Sequence, residues 1–171
     1  MIKKVKTFMR LRPQLKIITL QAFVLSVYTG FIFTFFNRYA RFGERIAANE
    51  TLPPGPLLIS PKGKGVQKSE TSSIPGHNEA LHFKVNDIAR AINISSKYIP
   101  WKNVCRHQAY QAKLLCNYYK IPCLIFIGLK KGKDRNEIQA HAWTIAGGRM
   151  ITGLCNPEEY MVQSIYRNKW Q

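Results

Sequence analysis

Ile17–Phe36, IITLQAFVLSVYTGFIFTFF, runs for twenty residues without a charge. A stretch so apolar must leave water, and it is long enough to span a bilayer. It does not read as a signal peptide, because it continues into NRYARFGERIA with no small-residue cleavage site. Lys and Arg flank both ends, so charge asymmetry sets no orientation. At helical spacing, Arg12, Lys16, Thr19, Ser26, Gly30, Thr34, Arg38, Arg41 and Arg45 form a weak polar stripe that only Phe23 interrupts. Such a stripe suits a long amphipathic helix docked on its own domain or lying on an anionic membrane, with a true span as the third option.

The charge balance narrows the partners. There are 26 Lys and Arg against nine acidic residues, and only Asp87 and Asp134 are aspartates, so the net charge is +17. This predicts attraction to polyanions: nucleic acid, an anionic membrane surface or an acidic protein. Nucleic acid is disfavoured. The cations are spread along the chain with no zinc-finger spacing and no aromatic-basic strand signature. The four cysteines, at 105, 116, 123 and 155, contain no CxxC pair, which argues against a zinc framework or a disulfide scaffold and for a reducing compartment.

The 171 residues suit one domain of ordinary size plus an extra segment. Residues 1–50 hold the basic N-terminus and the apolar helix. Residues 51–76, with five prolines and four glycines, read as a linker or long loop. Residues 77–171 form the remaining domain. Leu81, Val85, Ile88, Ala89 and Ile92 predict a helix over 77–98, and a second runs from about Val104 to Tyr119 with Asn103 as N-cap and Pro122 forcing its end. Cys123–Leu129 is a buried strand, and residues 140–146 and 149–153 flank Gly147-Gly148 as a hairpin. The order helix, helix, strand, hairpin makes an α+β domain.

On that map Cys105 stands in the first turn of its helix. Unpaired N–H groups and the positive end of the dipole there favour a thiolate, and the same N–H groups can hold an oxyanion. Cys116 and Cys123 fall in apolar patterns and read as core residues. Cys105 can equally be a small apolar residue packed under Trp101. A nucleophilic cysteine needs a base, and His77 and His82 have no evident partner. His107, two residues on, points away from Cys105 on a helix. His141 lies in a strand between Ala140 and Ala142, followed by Trp143. A strand packed against the N-terminus of a cysteine helix is the geometry of papain-like and transglutaminase-like sites. A structural histidine in a half-buried strand is the competing reading.

Pro100-Trp101, Cys105, Gln108-Ala109, Ile121-Pro122, the strand ending in Gly128 and Ala140-His141-Ala142-Trp143 occur in an order and spacing that resemble the lasso peptide biosynthesis B protein family. The basic start, the apolar helix and Phe36–Gly43 are similar to it as well. The chain resembles the split, peptidase-only form. The resemblance implies a transglutaminase-like cysteine protease core behind an N-terminal apolar helix, working without a cofactor in the bacterial cytoplasm. Its activity is removal of the leader from a ribosomally made precursor peptide. The implied partners are that precursor, a separate small leader-recognition protein and an ATP-using cyclase, with membrane contact through residues 17–36 left open.

Carried over, Cys105 is the nucleophile and His141 the general base and acid, with Trp101, Gln108 and Trp143 adjacent to substrate or oxyanion. The family's usual third member, an Asp a dozen residues after the His, is missing: no Asp follows Asp134, and that position is Gly153. Thr152 and Asn156 are the candidate substitutes, with Glu158 and Glu159 the nearest acids downstream, and a backbone group is a further option. A non-catalytic, membrane-associated scaffold of the same complex is the competing reading. A metal site from Cys105, His107, His141 and Cys155 lacks the expected spacing.

Overall fold

The computed structural model describes residues 11–35, 42–46, 77–100, 103–132 and 137–169. The expected linker at 51–76, Trp101 and Asp134 lie outside the described residues, as do most of the Phe36–Gly43 stretch and the side chain of His77.

Helix α1 (Pro13–Phe35) starts on a proline, whose missing N–H and fixed φ suit a first helical position. It is docked on the rest of the fold, but by the face opposite to the one its amphipathicity implies. Thr19, Ser26 and Thr29 are buried beside Leu15, Ile18 and Ala22, while most of the large apolar residues, Leu20, Val24 and Phe31 among them, face outward. The buried hydroxyls cost little because each is already satisfied within the helix. Thr19 donates to the Leu15 carbonyl at 2.7 Å, Ser26 to that of Ala22 at 2.7 Å and Thr29 to that of Ser26 at 3.1 Å. Helix α2 (His77–Ser96) packs on this narrow face through Val85, Ile88, Ala91 and Ile92. Helix α3 (Cys105–Tyr118) adds Ala112, Leu115 and Cys116 to the same cluster.

Polar links fix the docking. Gln111 Nε2 donates to Thr29 Oγ1 at 2.9 Å, and the Tyr119 hydroxyl donates to Gln21 Oε1 at 2.6 Å. Arg12 Nη2 pairs with Oδ1 of the buried Asp87 at 3.0 Å. Arg12→Ala leaves that carboxylate without its cation. The expected result is a stability loss of about 1–3 kcal/mol, seen as a melting temperature lower by roughly 3–10 °C. An unchanged melting temperature would mean that solvent replaces Arg12 at no cost.

Helix α3 ends as Pro122 requires, through a reversal at Lys120. That residue adopts φ 55, its N–H donates to the Asn117 carbonyl, and the Ile121 N–H reaches back to that of Cys116. The N-terminal expectation needs correcting. Val104, in extended conformation, is the N-cap and provides no side-chain cap bond. Asn103 is engaged by the second turn instead: its carbonyl accepts from Gln108 Nε2 at 2.9 Å and its Oδ1 from Gln111 Nε2 at 3.2 Å.

The sheet is antiparallel, in the order β1-β5-β2-β3-β4: β1 (Glu44–Arg45), β2 (Cys123–Lys131), β3 (Ile138–Ala146), β4 (Arg149–Thr152) and β5 (Met161–Arg167). The expected hairpin is β3–β4, turned by Gly147 at φ 55 and Gly148 at φ 71, the backbone a tight hairpin turn needs. Two strands go beyond those expected from the sequence pattern: β5, which inserts between β1 and β2, and β1 itself. One face of the sheet packs Ile125 and Ala142 against Phe42 and the Ala109–Tyr110 side of α3. The other packs Leu124, Phe126 and Trp143. An α+β fold with an N-terminal apolar helix results. Helix α1 and β1 belong to its core and its sheet, so the described residues before 50 and those after 76 share one fold.

Candidate active site

Cys105 is the first residue of α3 and half-buried, with its side chain against the Ala142 cluster. N–H groups of a first helical turn lie ahead of the i→i−4 ladder. Here the N–H groups of His107 and Gln108 both turn back to the Val104 carbonyl.

His141 lies opposite Gly128 in the β2–β3 register. It shares a face of β3 with Trp143, their ring centroids 6.3 Å apart, and Tyr160 lies 5.4 Å away. Gly128 is needed for that arrangement. A Cβ there would come within 2.9 Å of the Tyr160 Cβ and 3.0 Å of the Trp143 ring.

Beyond Thr152 strand β4 gives way to Gly153, whose φ of 65 turns the chain. The Gly153 carbonyl lies 2.9 Å from His141 Nε2. A carbonyl oxygen can only accept, so Nε2 carries a proton and, in the neutral ring, Nδ1 has the lone pair. Cys105, Gln108, His141, Thr152 and Gly153 line one cleft of about 500 Å³.

Three expectations about the site's periphery are corrected. Neither proposed substitute for the missing acid bonds His141. Thr152 is buried opposite Thr144, its Oγ1 without a hydrogen-bond partner among the described residues. Asn156 caps the short 3-10 turn Pro157–Glu159, its Oδ1 accepting from the Glu158 N–H at 3.4 Å. Its side chain is already used by the turn that leads into β5. Trp143 is not adjacent to the cleft. It is buried and stacked on Phe126, ring centroids 5.4 Å apart, further along the face of β3 that it shares with His141.

Gln108 lines the cleft, with its amide nitrogen on the Asn103 carbonyl. His107 stacks on Phe33 of α1 at 4.8 Å, and His82 is exposed on α2. The Cys105, His107, His141 and Cys155 set does not converge: among the described residues no three His, Cys, Asp or Glu side chains come together as metal ligands.

The Cys116 and Cys155 thiols are pushed towards their protonated forms. A hydrogen bond to Cys123 and burial push the Cys116 thiol up, and both cysteines are buried. Burial, and then the nearby Glu159 carboxylate, push that of Cys155 up. Iodoacetamide at neutral pH is therefore expected to label Cys105 ahead of the other three, as peptide mapping of a brief exposure would show. First modification at Cys155 would remove the distinction.

Of the options left open for the third group, the backbone one is what the structure sets against His141 Nε2, as the Gly153 carbonyl. Backbone oxygens have no letter in a sequence, and the available signal was a glycine at the position where the triad's acid is expected. The family model for the transglutaminase-like superfamily matches residues 64–164, more than half of the chain and all of the elements that line the cleft. No curated protein and no solved structure matches the chain.

Proposed function

The chain belongs to the transglutaminase-like superfamily, and from that premise we propose that it is a cysteine peptidase releasing the leader from a lasso-peptide precursor in the bacterial cytoplasm. The observation that carries the reading is one cleft lined by both Cys105 and His141, with His141 Nε2 on the Gly153 carbonyl. That bond supports the tautomer a general base needs, because Nδ1 is left to take the thiol proton.

The steps follow from those groups. Sγ of Cys105 attacks the scissile carbonyl carbon as its proton passes to His141 Nδ1. The tetrahedral oxyanion lies at the N-terminus of α3, where backbone N–H groups and the helix dipole favour negative charge. Nδ1 then gives its proton to the departing amine, the C–N bond breaks, and the leader remains as a thioester on Cys105. Water, deprotonated by Nδ1, attacks the thioester carbon, and the freed thiolate recovers the proton. Throughout, the Gly153 carbonyl holds the imidazole and, while it is charged, faces the imidazolium N–H. A neutral dipole stabilises that cation less than a carboxylate would, so turnover is slower than in an enzyme with the acid in place.

The recognition protein delivers the leader, and the cyclase acts on the released core peptide. The chain is incubated with a lasso precursor and its leader-recognition protein, and the products are weighed by mass spectrometry. Free leader and core masses are the expected result. Intact precursor would favour the scaffold reading, which the absent acid and the exposed face of α1 also suit.

A further inference from the structure

Docked by its small polar face, α1 leaves Ile17, Leu20, Val24, Val27 and Phe31 on its outer side at alternating spacings of three and four. These five share one face of the helix. The exposure is large for such residues: 63% for Leu20, 60% for Val24 and 54% for Phe31. Phe35, 68% exposed, continues the row. An apolar stripe along a helix about 34 Å long exceeds the scattered exposure normal for a protein surface.

Two observations choose what covers it. The first is charge. No acidic residue precedes Glu44, whereas eight basic ones do: Lys3, Lys4, Lys6, Arg10, Arg12, Lys16, Arg38 and Arg41. A second copy of a chain carrying +17 is repelled. An anionic lipid surface offers both the apolar medium and the opposite charge. The second is the docking itself. By length and composition α1 could cross a bilayer, with a mean hydropathy of 1.8 over its most apolar window. Crossing would pull Leu15, Ile18 and Ala22 from the core, break the Arg12–Asp87 and Gln111–Thr29 links, and expose Ile88 and Ile92 to water.

We infer that the outer face of α1 binds the surface of an anionic phospholipid bilayer with the helix in the plane of the membrane, its inner face still docked. The row is apolar where lipid is met, and the cations at its N-terminal end meet the headgroups. Phe33, near the other end, packs in the same cluster as Cys105. Surface binding therefore holds the cleft close to the bilayer, while depending on none of its chemistry.

Vesicle flotation of the full chain tests this. It is expected to float with phosphatidylglycerol-containing vesicles, to float at least about tenfold less with pure phosphatidylcholine, and to be released by high salt. Leu20→Glu and Val24→Glu, each at an exposed position, are expected to cut the bound fraction roughly tenfold with circular dichroism and melting temperature unchanged. Cys105→Ala is expected to float like the wild type, so the result stands apart from the peptidase reading. No flotation on anionic vesicles would overturn the inference. So would a dimer in light scattering that Leu20→Glu dissolves, which would assign the face to a second copy. Retention in vesicles through alkaline carbonate extraction would overturn the in-plane orientation in favour of a span.

Discussion

Cys105→Ala is expected to abolish precursor cleavage, with turnover lower by at least about 10³-fold, as loss of a covalent nucleophile does elsewhere. The side chain is half-buried at the rim of the cleft, and Ala is smaller and compatible with a first helical turn, so the fold should survive. Circular dichroism and melting temperature are measured alongside, and both should match the wild type. His141→Gln belongs in the same experiment. Its amide nitrogen can still donate to the Gly153 carbonyl, but it offers no base to the thiol, so a loss of similar size is expected. Cys155→Ala, outside the cleft lining, should cleave normally. Cleavage at the wild-type rate in Cys105→Ala would remove the cysteine mechanism altogether.

Gly153→Ala should show how much depends on a backbone oxygen. Gly153 sits at φ 65, where a side chain is strained, and a Cβ there would run into the Ala142 carbonyl and the Trp143 Cα. Relief must move the turn, and with it the carbonyl that holds His141 Nε2. A displacement on the order of 1 Å at such a point can cost about 10²-fold in rate. The expected outcome is kcat lower by roughly 10- to 100-fold with KM little changed. Some stability is lost too, so a control with strain but no site is needed. Gly147→Ala provides it: φ is 55 in the β3–β4 turn and the added Cβ meets Val85, outside the cleft lining. It should lower the melting temperature and leave kcat intact. Equal kcat losses in the two variants would reduce Gly153 to a structural turn.

The glycine at 153 also explains why the missing acid is not simply relocated. In the proposed site the third group comes from the main chain at the same position, where the left-handed turn aims a carbonyl at the imidazole. Thr152 and Asn156 were the reasonable side-chain substitutes by sequence distance. Strand pairing places one opposite Thr144, and a 3-10 turn occupies the other. Neither outcome follows from spacing alone, because both depend on where β4 stops pairing with β3.

Local patterns were legible wherever the physics is local. Apolar spacing marked α2 through Val85, Ile88 and Ile92, Pro122 fixed the end of α3, and two glycines needing positive φ marked the hairpin. Cys105 could be set at a helix start for the same reason. By contrast β5, MVQSIYR, carries no clean alternation, and it becomes a strand by filling the place beside β2. Its identity is conferred by a neighbour roughly thirty to forty residues earlier in the chain.

Helix α1 divides the two kinds of knowledge most clearly. Its sequence alone determined that a long helix exists, that it must avoid water, and that its flanks attract anions. Only the tertiary structure decided which face turns inward. The core accepted Thr19, Ala22, Ser26 and Thr29 because small side chains whose hydroxyls bond back to the helix allow close approach at little desolvation cost. The bulkier Leu20, Val24 and Phe31 were left outside. Hydrophobicity fixes how much surface must be covered, but shape and hydrogen-bond satisfaction between particular helices decide what covers it.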